Sequence, residues 1–304
     1  MAVMHDESYT YAVARIRANE LSLLSAANVE QLLSATDLAA AESILAANGY
    51  AMSLRLEAVL NAKLAEAWQL IAESLPRREE ASPGNGDLDF LVVKNDFHNL
   101  KARLKSTFTG DNPEAYLMFP TVFDDSEIGE LLRTRRFDEL PECMAACAEE
   151  AYRLLARTRD GQLADAVIDR QCLETMLAMA KASRSAFIIG LAEKMCAFAN
   201  AKIAMRAEKT GKDRAFLDRA LCDCPPVDVP EEACQPGAAF EKHCDDALIE
   251  YVSSAKGEHF GIAPIVAYWL AKEAEVKTLR VVMACKKNAV PADEIRKRVR
   301  LLYV

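Results

Sequence analysis

Three clusters in this chain have residue types that could do chemistry. In "DDALIE" (245–250), Asp246 and Glu250 stand four apart on one helix face, with Asp245 beside them. Aspartate-rich helices hold magnesium in all-α prenyl-diphosphate enzymes, but such a site needs a second acidic cluster facing the first across an apolar pocket. The nearest other run, "FDDSE" (123–127), reads instead as a helix start whose acidic residues favour the helix dipole. Cys222, Cys224, Cys234, His243 and Cys244 gather thiols and an imidazole in a short stretch, and zinc would accept such ligands. A Cys-x-Cys opening is a poor tetrahedral knuckle, however, and its surroundings are rich in proline. These residues read as a reduced, partly exposed loop. "TGKD" (210–213) comes nearest to a phosphate-binding loop, yet Asp213 replaces the hydroxyl that would hold magnesium. It reads as a helix C-terminus closing at Gly211. With only four His, of which His5 lies in the N-terminal tail and His98 in a repeated motif, no nucleophile–base pair stands out. We expect no catalytic residue, no metal and no cofactor.

Composition narrows the partners. The chain has 304 residues and a formal net charge of -9, whereas nucleic-acid binding shows as a basic balance or patch, so no nucleic acid is expected. The charge is uneven: Lys272 to Val304 holds nine Lys/Arg against four Asp/Glu. A basic C-terminal segment on an acidic body marks either a docking surface or solvated helix faces. Nine Cys without regular spacing, and an N-terminus without a charged-then-apolar signal pattern, point to a reducing cytosol.

Whatever these residues do, helices must position them. Only 11 Gly and 11 Pro punctuate a chain dominated by Ala, Leu, Glu and Arg. Leu56, Val59, Leu60, Leu64, Ala67, Trp68 and Ile71 form one continuous helical stripe. Val29, Leu32 and Leu33 begin another, with Asn28 expected as its N-cap and Gln31 three residues on. "FLVV" (90–93) is the nearest approach to a strand and is too short to overrule its helical flanks. The fold class is all-α. Loops are expected at 76–87, 109–116 and, most clearly, in "CDCPPVDVPEEACQPGAA" (222–239).

The longest uncharged run, Phe260 to Ala271, is too short to cross a bilayer, which needs about 20 predominantly apolar residues. Pro264 fits the first turn of a helix there and Gly261 the turn before it. Ile262, Ile265, Val266, Trp269 and Leu270 are expected core, in a chain expected to be soluble.

Internal repetition organises the rest. "NLKARLKSTFTG" (99–110) and "NAKIAMRAEKTG" (200–211) share Asn, Lys, a second basic residue and a closing Thr-Gly, at an offset of 101 from Asn99 to Asn200. "VEQLL" (29–33) matches "IGELL" (128–132), and "EVKTLRVVMACK" (275–286) supplies a fainter third copy, aligning Lys277 with Lys202. Three helical units of about 100 residues, 1–110, 111–211 and 212–304, would fill the chain. They could stack as a solenoid or close with approximate threefold symmetry, and a period well above the usual 20–50 residues favours closure. The basic pairs Lys101/Lys105 and Lys202/Arg206 each share a helix face, either solvated or meeting an acidic partner.

At both ends the sequence resembles a known family. "YAVARIRANELSLLS" (11–25) and the segment 260–304 look like the subunit designated C in prokaryotic V/A-type ATPases, whose eukaryotic counterpart is designated d. The C-terminal pattern falls on Gly261, Pro264, Tyr268, Ala271, Lys272, Glu273, Glu275, Leu279, Arg280, Tyr303 and Val304. The N-terminal pattern falls on Tyr11, Ala14, Arg15, Arg17 and Glu20. "KNDFHNLK" (94–101) resembles the segment that closes the family's first repeat, whereas the loop 222–239 lies outside the pattern. The resemblance implies three helical repeats in a pseudo-threefold funnel, and a non-catalytic central-stalk subunit between the rotary shaft and the proteolipid ring. Such a protein couples ATP synthesis or hydrolysis to H+ or Na+ transport from the cytoplasmic face, touching polar loops of the ring without entering lipid. Arg15, Glu20, Lys272, Glu273, Glu275 and Arg280 would then hold repeats together or face a partner. A free-standing helical scaffold and an all-α magnesium enzyme are the competing readings.

Overall fold

The computed structural model describes residues 7–51, 55–76, 83–84, 86–234 and 237–304. Among them every regular element is helical: α1 (Thr10–Glu20), α2 (Ala26–Ser34), α3 (Leu38–Ala47) and α4 (Leu56–Ser74) come first. Next are α5 (Asp89–Thr109), α6 (Asp125–Thr134), α7 (Glu142–Thr158), α8 (Gly161–Ala182), α9 (Ala186–Lys209) and α10 (Arg214–Ala220). The chain ends with α11 (Ala238–Ser253), α12 (Ala263–Lys287) and α13 (Ala292–Arg296). Most of the loop expected at 76–87 lies outside the described residues.

Two compact units result, 1–78 with 230–304, and 79–229. The first unit is discontinuous and is built around α12, which packs against α1, α3, α4 and α11. The run from Ala263 to Lys272 is buried on every face, as a helix at the centre of others must be. Ile265, Val266, Trp269 and Leu270 lie in this core as expected, while Ile262 is half-buried at the helix N-cap. Each fully buried large side chain of this kind contributes roughly 1.5–3 kcal/mol. Trp269 meets Trp68 edge-on with ring centroids 4.9 Å apart, a geometry that the ring quadrupoles favour. Pro264 occupies the first turn and Gly261 has φ +80 ahead of it.

The start of α2 differs from the expectation. Ser25, not Asn28, is the N-cap. Asn28 is the third helical residue; its Oδ1 accepts from Ser25 N at 2.9 Å, while its own N–H donates to Ser25 Oγ at 3.3 Å. A short hydroxyl at the preceding corner satisfies the first free N–H groups, and the amide closes the box from inside the helix.

In the second unit α8 is central, packing on α5, α7, α9 and α10. Phe90 to Val93, the stretch nearest to a strand in the sequence, lies inside α5 with all four side chains buried. The left-handed Gly110 ends α5, and Gly211, at φ +64, follows α9. A Cβ would strain both positions.

Candidate functional site

Lys272 and Glu275 are three apart on α12 and therefore share a face. Both are buried, at 6% and 1% exposure, and their side chains form an ion pair. Tyr50, in the connection after α3, donates its hydroxyl proton to Glu275 Oε1 and accepts from Lys272 Nζ at 3.3 Å. The Lys272 ammonium also sits 5.3 Å from the Tyr50 ring centroid. The second carboxylate oxygen accepts the backbone N–H of Leu24 at 2.5 Å. One carboxylate thus ties α12 to two N-terminal segments. Burial and the Glu275 charge hold the Tyr50 hydroxyl well above its ordinary pKa, and they push Tyr268 up to about 12. Both phenols stay neutral.

A cavity of about 220 Å³ opens beside this network, lined by Asn19, Asn48, Lys63, Glu66, Leu70 and Lys272 among others. Its charged walls are paired with each other, Lys63 with Glu66 at 2.7 Å and Lys272 with Glu275.

The remaining expected site residues lie elsewhere on the first unit. Glu20 orients Arg17, at 2.8 Å, and Arg17 donates to the carbonyls of Ala255 and Glu258 at 2.7 and 2.8 Å. Arg15 reaches Glu73 at 3.7 Å and stands over the Tyr11 ring. Arg280 pairs with Glu57 and Asn61, each at 2.9 Å, on an exposed face. Glu273 is half-buried; with Asp245 its charge outweighs desolvation and raises the pKa of the Lys277 ammonium. The structure therefore gathers Lys272 and Glu275 and disperses the other four.

The basic C-terminal segment is used inside the first unit. Lys277 and Arg300 converge on Asp245 at 2.6 and 3.0 Å. Lys286 donates to the carbonyls of Leu33 and Ala35, both at 2.6 Å, and Arg296 pairs with Glu30 at 2.9 Å. These cations hold the chain ends together, while Lys287, Lys297 and Arg298 of the same segment lie exposed. Asp246 receives Lys242 at 2.5 Å and Leu301 N at 2.6 Å, so Asp245 and Asp246 face cations and an amide, while Glu250 of the same "DDALIE" run is exposed. "FDDSE" begins α6 as expected, with Asp124 capping Ser126 N and Glu127 N.

The second unit shows what the repeated Asn does. Asn99 donates to Met118 O at 3.0 Å and accepts from Met118 N at 2.7 Å. Asn200 does the same to Cys222, at 2.8 and 3.1 Å. One amide satisfies both polar groups of one residue's backbone, on a connection that would otherwise leave them unpaired. Glu275 stands where the third copy aligns with Asn200. Asn mid-helix is a poor helix former, and that was the available signal for these clamps. Beside Asn99, Asp96 accepts from Val122 N and Phe123 N, both at 2.9 Å. Burial pushes Asp96 up to about 6, only partly offset by those N–H groups. Lys101 and Lys105 meet the α8 carboxylates Asp169 and Asp165 at 2.5 and 2.7 Å, so this pair's acidic partner belongs to the same unit. Among the described residues no group of His, Cys, Asp and Glu is arranged to hold a metal. Cys222 and Cys224 belong to the second unit, and Cys234, His243 and Cys244 to the first.

The sequence profile of the ATP synthase (C/AC39) subunit family matches residues 12–228 and 227–298 of this chain. The subunit designated C of the V-type sodium ATPase of Enterococcus hirae is 22% identical to it over an alignment covering 95% of this chain and 97% of that protein.

Proposed function

Because the chain belongs to the ATP synthase (C/AC39) subunit family, we propose that it is the non-catalytic central-stalk subunit of a V/A-type rotary ATPase. In this reading it links the rotary shaft to the membrane proteolipid ring. It transmits torque between ATP synthesis or hydrolysis and H+ or Na+ transport. The observation that carries the reading is the extent of the family match, which runs from residue 12 to 298 and so enters both compact units.

A torque adaptor needs stiff elements. Long helices whose polar side chains clamp neighbouring backbone supply them, as Asn99, Asn200 and Glu275 do. No helix among the described residues is long and apolar enough to cross a membrane. We place the chain at the cytoplasmic face, resting on the polar loops of the ring without entering lipid. Interface cores favour apolar anchors, which suits the shaft contact. We retain the three repeats, 1–110, 111–211 and 212–304, as a pseudo-threefold funnel. Two clamps 101 residues apart with the same hydrogen bonds, and a third at the aligned Glu275, support that organisation.

A tagged pull-down from gently solubilised membranes of the chain's own host tests this. Mass spectrometry should recover V/A-type shaft and proteolipid subunits. Their clean absence, with the chain folded, would sink the rotor reading in favour of a free-standing scaffold.

A further inference from the structure

The connection that follows α5 turns its apolar side chains outward. Tyr116, Met118 and Phe119 are 66, 49 and 59% exposed. They are three of the eight large apolar side chains exposed among the described residues, and they fall within four positions. The backbone of this strap is held from one face of α5. His98 Nε2 donates to Tyr116 O at 2.9 Å, Asn99 takes both polar groups of Met118, and Asn95 Nδ2 donates to Pro120 O at 2.8 Å. Asp96 secures Val122 N and Phe123 N just beyond. The clamp itself does not require this display. At the matching Asn200 the connection exposes Asp223, Pro225, Pro226 and Asp228, and no large hydrophobic side chain. The strap is also acidic along its flanks: from Ser106 to Leu132 the chain has six Asp or Glu and no Lys, Arg or His. Asp111, Glu114, Asp124 and Glu127 stand exposed on either side of the apolar positions. Two cations of α5 are already engaged, Arg103 by Asp125 and Lys101 by Asp169.

We propose that Tyr116, Met118 and Phe119 form a docking surface for a protein groove with an apolar floor and a basic rim. In the rotor reading, on which this rests, the groove belongs to the shaft subunit. Aromatic residues and Met are enriched in interface cores, where a few anchors carry most of the binding energy. A strap whose backbone is already fixed loses little conformational freedom on binding, so more of the contact survives as affinity. The acidic flanks select Lys and Arg at the rim of the partner and steer its approach. The same acids disfavour lipid as the occupant. Segments that lie on bilayers combine apolar side chains with Lys and Arg, which anionic headgroups attract. The polar loops of the ring fit no better, because apolar side chains would take water from them and return no hydrogen bond.

The test uses the full-length tagged chain in membranes of its own host, with the photocrosslinker p-benzoylphenylalanine in place of Phe119. Irradiation followed by mass spectrometry should give an adduct to the shaft subunit, at a peptide with Lys or Arg beside the attachment point. In a second arm, Met118→Ser/Phe119→Ser should lower recovery of the shaft subunit about tenfold or more. Both positions are exposed, so the melting curve and the recovery of proteolipid should match wild type. An adduct to a proteolipid, a lipid or a second copy of this chain would overturn the assignment. So would the absence of any adduct in membranes from which wild type recovers the shaft, or undiminished shaft recovery by the double variant. Failure of the rotor reading looks different: wild type would then recover neither shaft nor proteolipid subunits, and the assignment to the shaft would fall with it.

Discussion

In the second unit Asn99 and Asn200 each hold a residue's backbone with a single side chain, whereas in the first unit Glu275 holds Leu24 only in company with Lys272 and Tyr50. An amide donates and accepts, so it can answer both the N–H and the C=O of its partner. A carboxylate accepts only, and its buried charge requires a cation. The added partners change what the clamp does. Asn99 and Asn200 each secure a connection about 20 residues downstream, while Glu275 joins the central helix α12 to segments more than 200 residues earlier.

The most direct way to break this contrast is Glu275→Ala. It leaves the Lys272 ammonium buried without its counter-charge and Leu24 N without an acceptor, and should cost about 3–5 kcal/mol. Urea unfolding of the first unit would read this out. A loss no larger than that of Asn99→Ala would mean that the charged clamp is no stronger than the neutral one.

A second buried carboxylate sharpens the comparison, because Asp96 is capped by backbone N–H groups where Glu275 has a lysine. Its pKa lies above the ordinary 3.8, at about 6. Its contribution is therefore fully present below about pH 4 and is lost as the pH rises through 6, amounting to up to about 3 kcal/mol. Asp96→Asn cannot titrate. The stability of wild type relative to this variant should fall between about pH 4.5 and 7, and a flat difference would show that the N–H groups fully compensate burial.

Asn99→Ala has the smallest expected effect. It removes two hydrogen bonds and leaves the Met118 N–H and C=O without their partner, at about 2 kcal/mol. Hydrogen exchange at Met118 should accelerate while the first unit is unchanged. Unaltered protection would mean that the connection is held by its other contacts.

Much of the architecture was legible one element at a time. Apolar spacing marked α4 and α12, and Thr-Gly marked the ends of α5 and α9, whereas the sequence left Lys272, Glu273, Glu275 and Arg280 open between joining repeats and facing a partner. These are local properties, set by the 3.6-residue period and by backbone sterics within a turn or two. The misplaced cap at Asn28 shows the limit: Ser25 and Asn28 both suit a helix start, and the path of the preceding chain chose between them. The partners escaped entirely. Nothing near Tyr50 or Leu24 in the sequence announces Glu275, and nothing near Asp245 announces Lys277 and Arg300. Composition and period dictated helices and their buried faces. Only the tertiary structure decided which charges meet, because an ion pair between distant residues depends on where packed helices bring their ends, and a surplus of lysine and arginine carries no address.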